Sequence, residues 1–284
     1  MASARDIRRR IKSVKNIQQI TKAMKMVAAA RLRRAQERAI SSRPYTDKIR
    51  EILASVVGGT KDVAHPLLAV REVERTGYLI LGADKGLAGA YTSNLIREVL
   101  PYVQGKDAAH LLTVGRKARD YFKRRSYKID QQYTGFSEKP TYQHAVDMAR
   151  DIASAYAAGE YDEVYLVYTK FFSPINQKPT VIRLLPVDTS DSQADSEQPK
   201  EYIFEPSAEE VLGLLLPKYL ETVIYGALLQ AAASELGSRM TAMASATDNA
   251  QELISKLVLN YNKVRQANIT REISEIVGGA EALK

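Results

Sequence analysis

The chain of 284 residues is 45 % hydrophobic, enough to build a core, and its lack of cysteine excludes a disulfide framework, a thiol nucleophile and a dithiol redox switch. Its three histidines, His65, His110 and His144, are too scattered for a zinc constellation, and no paired-carboxylate, G-x-S-x-G or H-E-x-x-H pattern stands out. The net charge of +8 is uneven: residues 1–50 hold fifteen Lys or Arg against Asp6, Glu37 and Asp47 and so carry +12, while the remainder sums to −4.

Residues 3–57 contain no glycine and a single proline, Pro44, which predicts one long helix. Ser3 is its N-cap with Asp6 three residues on, and Gly58 and Gly59 end it. At 1.5 Å per residue such a helix is roughly 80 Å long. Its apolar residues, Ile7, Ile11, Val14, Ile17, Ile20, Met24, Val27 and Leu32, form a narrow stripe on an otherwise cationic and polar surface. That stripe requires a partner helix. The first ten residues lack the apolar core of a signal peptide, and no uncharged apolar run reaches the length of a membrane span, so a soluble protein without bilayer insertion is expected.

The middle of the chain reads as α/β. Residues 78–82 (YLILG), 110–114 (HLLTV), 163–171 (EVYLVYTKF) and 181–187 (VIRLLPV) are strand candidates, and residues 91–104, 116–125 and 141–158 have helical spacing. Alternating strands and helices favour a small, mostly parallel, Rossmann-like sheet covered on both faces. Residues 188–200 (DTSDSQADSEQPK) read as a mobile loop, and Tyr202, Ile203 and Phe204 after it are either a contact patch or an edge strand.

Ser207, with Glu210 beyond it, caps a last helix that runs past Pro217 to the Gly278–Gly279 pair, roughly 90 Å. Within it Leu236, Met240, Met243, Thr247, Ala250, Ile254, Leu257, Tyr261 and Val264 recur in 4,3,4,3 spacing, a heptad seam. The two ends match in length and width of stripe, so the expected fold is a long antiparallel coiled coil of the terminal helices with the α/β domain between them. The expected segments are 1–58, 59–206 and 207–284. Past Val264 the seam drifts to Ile269, Ile273 and Ile276, where the pair gives way to a single helix.

The Gly-rich stretch from Gly82 to Gly89 follows a strand and precedes a helix, as phosphate loops do, but its spacing is G-x-x-x-G-x-x-G, and tight strand-to-helix packing is the reading favoured over phosphate binding. The basic first helix invites a nucleic-acid reading, yet its cations and the heptads of the last helix lie on separate helices, unlike a basic zipper. A coiled-coil nucleic-acid binder is therefore the alternative function, and an α/β enzyme built on the Gly82–Gly89 loop is third.

Residues 9–36, RRIKSVKNIQQITKAMKMVAAARLRRAQ, closely resemble the first helix of the gamma subunit of F-type rotary ATP synthases. Residues 269–282 fit that family's terminal signature, I-T-x-E-x-x-E-x-x-x-G-A-x-A, and residues 240–253, 261–269 and 84–89 (DKGLAG) resemble it as well. Ala88 stands where many members have cysteine, and the cysteine-bearing regulatory insertion of chloroplast members is absent. The resemblance implies a central-stalk rotor with no catalytic site and no cofactor of its own. Its implied partners are the alpha and beta subunits, the epsilon subunit and the membrane c-ring, at the cytoplasmic face of a bacterial plasma membrane. It implies that Arg265, Gln266 and Thr270 contact a catch loop of one beta subunit, and that Lys22, Met24 and Lys25 face the acidic beta lever. Tyr202, Phe204 and Glu205 would form the foot on the membrane ring, and Ile269, Ile273, Ile276, Val277 and Leu283 the tip turning in an apolar bearing.

Overall fold

The computed structural model describes residues 3–59, 65–105, 108–187 and 207–282. Residues 188–200, Tyr202, Phe204, Glu205 and Leu283 lie outside them. Helix α1 runs Ala4–Gly59 with Pro44 inside it, and α5 runs Ala208–Ala282 with Pro217 inside it. Between them come β1 (Thr76–Leu81), α2 (Tyr91–Val103), β2 (Ala109–Val114), α3 (Arg116–Lys123), β3 (Ile129–Tyr133), α4 (Tyr142–Ala157), β4 (Glu163–Phe171) and β5 (Gln177–Leu185). The chain packs as two compact units, one of Met1–Ala28 with Met240–Lys284 and one of Ala29–Arg239.

The smaller unit is a helix pair. Gln18 Nε2 donates to Gln251 Oε1 at 2.7 Å, and three residues on Thr247 Oγ1 donates to Thr21 Oγ1 at 2.8 Å. Rising numbers on one helix meet falling numbers on the other, so the pair is antiparallel. On α5 the heptad positions Met243, Ala250 and Ile254 are buried, with Thr247, Leu257, Tyr261 and Val264 half-buried between and beyond them. The α1 side differs from the sequence expectation. Ile17, Ile20 and Val27 are 50 %, 59 % and 51 % exposed, and the facing positions are Ile7, Ile11, Val14, Gln18, Thr21, Met24 and Ala28. A period of 3.5 residues that begins at Ile7, Ile11 and Val14 lands on Gln18, Thr21 and Ala28 whatever their side chains are. Following the β-branched residues alone shifts the stripe by one position.

The larger unit is an α/β domain whose strands lie in the order β3-β2-β1-β4-β5. The first four are parallel to their neighbours, and β5 closes the sheet antiparallel to β4. Alternate residues of each central strand face opposite layers. Leu79, Leu81, Leu112, Val114 and Leu166 pack with Met148 and Ile152 of α4, with Leu53 and Val56 of α1, and with Leu212, Leu216, Leu220, Ile224 and Leu228 of α5. Tyr78, Ile80, Leu111 and Val167 meet Leu95 and Val99 of α2 and Ala118 and Phe122 of α3 on the other side. Burial pushes the Tyr78 hydroxyl up to about 12, so it stays neutral within this layer.

Helix α5 is also, by length and hydropathy alone, apolar enough to cross a membrane, which the sequence reading did not anticipate. Of its apolar residues between Leu212 and Leu236, Leu212, Leu216, Leu220 and Ile224 are fully buried in the sheet's core, whereas Leu214 is 77 % exposed. Strand β3 was absent from the expected elements because its residues, IDQQY, carry only two apolar side chains and sit at an edge of the sheet.

Candidate functional site

In the helix pair, everything on α5 from Arg265 to Ala280 is exposed. This segment contains Arg265, Gln266 and Thr270 and the apolar residues Ile269, Ile273, Ile276 and Val277, which are 47 %, 55 %, 72 % and 61 % exposed. The heptad contacts end at Val264, and an exposed apolar helix is left beyond it. The catch positions and the tip thus share one helical segment. Lys22 and Lys25 are exposed on α1, with Met24 half-buried between them. The Thr21–Thr247 contact sets their level on the pair, so Arg265 stands roughly 27 Å farther along α5 by helical rise. The two expected contact regions are therefore separate.

The cationic face of α1 has little internal compensation. Among the described residues, Arg9 pairs with Asp6 at 3.9 Å, while Arg8, Lys12, Lys15, Lys22 and Lys25 are exposed and have no carboxylate of this chain within ion-pair distance. The Ser3 hydroxyl, donating to Asp6 at 2.8 Å, holds that carboxyl below the usual range and caps the helix as the sequence predicts.

In the α/β domain, the Gly-rich loop is filled by the protein itself. A Cβ on Gly82 would lie 2.8 Å from Ala118 Cβ, so the end of β1 can approach α3 only as glycine. Gly115, at φ 87°, faces the same place: a Cβ there would lie 2.6 Å from the Gly82 carbonyl. The Asp84 carboxylate accepts from the backbone N–H of Gly135 at 2.9 Å, of Ser137 at 3.0 Å and of Arg116 at 3.3 Å. Burial alone would raise its pKa, but these donors together hold it below the ordinary carboxylate range. The Asp84 carboxylate is thus taken up by backbone donors of the β3–α4 connection and of the start of α3. Tight packing, one of the two sequence readings of this loop, accounts for Gly82, while Gly89 takes the left-handed backbone conformation at φ 55°.

Beside this loop lies a cluster that sequence reasoning missed. Arg239 Nη2 donates to Glu235 Oε1 at 2.6 Å and to the Gly86 carbonyl at 3.2 Å, while Nη1 lies 3.2 Å from Glu138 Oε1. Lys85 Nζ is 3.2 Å from the same oxygen, and Arg31 of α1 pairs with Glu138 Oε2. Glu235 is 1 % exposed, and burial raises its carboxyl above the ordinary range against the pull of Arg239. The available signal was Glu235 and Arg239, spaced i,i+4 inside a stretch otherwise made of small and apolar residues. Glu138 gave none, since it lies in a polar loop before α4.

A family model described as ATP synthase matches residues 3–283. The ATP synthase gamma chain of Heliobacterium modesticaldum is 51 % identical and that of Desulfitobacterium hafniense 50 % identical, each over 100 % of both chains. Among solved structures, the central stalk and c-ring of the Tetrahymena thermophila mitochondrial ATP synthase contains a chain that is 27 % identical, with a TM-score of 0.62 over 80 % of this chain and 99 % of that one. A chain of the Euglena gracilis mitochondrial ATP synthase, 21 % identical, shares the fold with a TM-score of 0.74 over 99 % of this chain and 94 % of its own. An antiparallel pair of terminal helices together with an α/β domain inserted between them in sequence is the make-up of a central-stalk subunit. The chain belongs to the ATP synthase gamma-chain family.

Proposed function

We propose that this chain is the rotor of a proton-translocating ATP synthase and transmits torque between a membrane c-ring and catalytic beta subunits. The observation that carries the reading is the segment Arg265 to Ala280: a helix whose apolar residues face solvent over its whole length needs a surrounding socket. A ring of alpha and beta subunits supplies one. Catalysis belongs to the beta subunits, and this chain contributes no catalytic group. Its work is differential: an asymmetric shaft that favours a different conformation of each beta subunit shifts their equilibria, whereas a shaft contacting all three equally shifts nothing.

Within that assembly Ile269, Ile273, Ile276 and Val277 turn in an apolar bearing, where the absence of directional bonds lets the shaft slip from one orientation to the next. Arg265, Gln266 and Thr270 offer hydrogen bonds to a beta catch loop. Lys22, Met24 and Lys25 face an acidic beta lever, and the unpaired cations Arg8, Lys12 and Lys15 extend the same field. Tyr202, Phe204 and Glu205 are the proposed foot on the c-ring, and an epsilon subunit is a further partner. The location that follows is the cytoplasmic face of a bacterial plasma membrane, as a peripheral subunit.

Reconstitution tests this reading. The full chain mixed with bacterial alpha and beta subunits is expected to co-elute with them as one complex and to change their ATP hydrolysis. Failure to form that complex, together with salt-sensitive binding to DNA, would overturn the rotor reading in favour of a nucleic-acid role for α1.

A further inference from the structure

Three cations from three separate elements converge on one carboxylate, Glu138. Arg31 comes from α1, Lys85 from the β1–α2 loop and Arg239 from α5. The Glu138 side chain is 11 % exposed and that of Arg239 is 8 % exposed, so the centre of the cluster has left water while Arg31 and Lys85 reach in from the surface. Arg239 Nη1 is fully buried and makes no hydrogen bond; what it faces is the Glu138 carboxylate at 3.2 Å. The loop that carries Glu138 is itself fixed. Ser137 Oγ accepts from the Asp84 N–H at 3.0 Å, and the Asp84 carboxylate accepts in return from the N–H groups of Gly135 and Ser137.

A buried ionic cluster is a weak source of net stability, because taking its members out of water costs about as much as their attraction returns. What it supplies is position. Elsewhere in this unit α1 and α5 hold the sheet through side chains such as Leu53, Val56, Leu220, Ile224 and Leu228, which resist separation but have no directional preference along the helix. Glu138 is different, since all three cations reach it only when α1, α5 and the Gly-rich loop stand in one register. Sliding either helix by a turn, about 5.4 Å, would strand a buried guanidinium or pull Arg31 out of reach.

We propose that Glu138 is a positioning residue for energy coupling, the key that stops α1 and α5 from slipping against the α/β domain when torque passes through it. The proposal rests on the rotor reading above. Neutralising Glu138 leaves Arg31, Lys85 and Arg239 around an uncharged amide, and the two helices then keep their apolar grip but lose their fixed register. Under load the domain yields before the torque is delivered. Without load little changes.

The test uses the full chain assembled with its alpha, beta and epsilon subunits and membrane sector in sealed vesicles, with ATP hydrolysis and ATP-driven proton pumping measured on the same preparation. For Glu138→Gln the expected result is hydrolysis within about twofold of the wild type and a pumping-to-hydrolysis ratio lowered about threefold or more, with the deficit growing as the opposing proton gradient rises. Arg31→Gln, which removes the half-exposed cation, is expected to lower the same ratio by less. Glu138→Asp, which keeps the charge on a shorter arm, should fall between Gln and wild type. An unchanged ratio in Glu138→Gln and Arg31→Gln, or a parallel loss of hydrolysis and pumping, would overturn the proposal; if Glu138→Gln does not assemble, the ratio in Arg31→Gln decides. A wild-type assembly that hydrolyses ATP without pumping would instead sink the rotor reading, and it is seen before any variant is compared.

Discussion

Single side chains fix this fold where backbone groups must be satisfied inside it. Asp84 is 7 % exposed and accepts three backbone N–H groups, and Asp162, 5 % exposed, accepts those of Glu74 and Arg75 at 3.1 Å and 2.8 Å. In both, burial by itself would raise the pKa, and the donors win and lower it. The folded protein therefore binds these protons less readily than the unfolded chain. Their stabilisation is complete above the unfolded value of 3.8 and is lost as pH falls through the lower folded values. Glu235 has the opposite sign: its folded pKa is raised, so its contribution is complete below 4.5 and fades as pH rises through the folded value. Thermal melts between about pH 3 and pH 6 should show the acid loss, and Asp84→Asn should lower stability by about 1–3 kcal/mol at neutral pH while flattening the acid limb. A variant with an unaltered acid limb would remove Asp84 from this account. Gly82→Ala should cost about 1–3 kcal/mol, read from urea unfolding, because its Cβ has no room beside Ala118. On the helix pair, Arg265→Ala with Gln266→Ala should lower turnover or coupling without loss of assembly, and unchanged hydrolysis and pumping would take both residues out of the catch.

At the scale of elements, the α5 seam was legible because it is apolar almost throughout: Met243, Ala250 and Ile254 are buried where the heptad puts them. Its partner on α1 was legible at Ile7, Ile11, Val14 and Met24 and missed at the positions between and beyond them. Gln18, Thr21 and Ala28 hold the facing positions, and a hydrophobicity reading passes over polar and small residues in favour of Ile17, Ile20 and Val27. Polar contacts such as Gln18–Gln251 are satisfied across the pair, which hydropathy cannot register. The central strands were read correctly from their apolar runs, whereas β3, at a sheet edge, has no fully buried residue and so carries no apolar run. The exposed stripe and the unpaired cations share α1, and that combination gives a prediction for the element. Neutralising Arg8, Lys12 and Lys15 together should weaken assembly with alpha and beta subunits at low salt and reduce its dependence on salt, measured by co-elution across an ionic-strength series. A salt dependence equal to that of the wild type would mean that the shaft engages its socket by shape alone. The ion cluster around Glu138 was illegible for a related reason: its members are far apart in sequence, at positions 31, 85, 138, 235 and 239, and only the fold brings them to one point.

For the whole molecule, both chain ends go into α1 and α5, and the α/β domain is an insertion between them. That arrangement suits a part that must carry load. Two paired helices resist bending and twisting better than one, and α5 continues, exposed, beyond the last heptad contact at Val264. The membership in the ATP synthase gamma-chain family rests on similarity over the full chain, but the work assigned to it rests on motion. The most direct measurement is therefore of rotation itself. Alpha and beta subunits are fixed to a surface, this chain is assembled into them, and a bead or gold particle attached to the α/β domain is followed while ATP is supplied. The account predicts sustained rotation in one direction that stops when ATP is removed. A particle that stays fixed, or only fluctuates about one angle, while the same complexes hydrolyse ATP would contradict it.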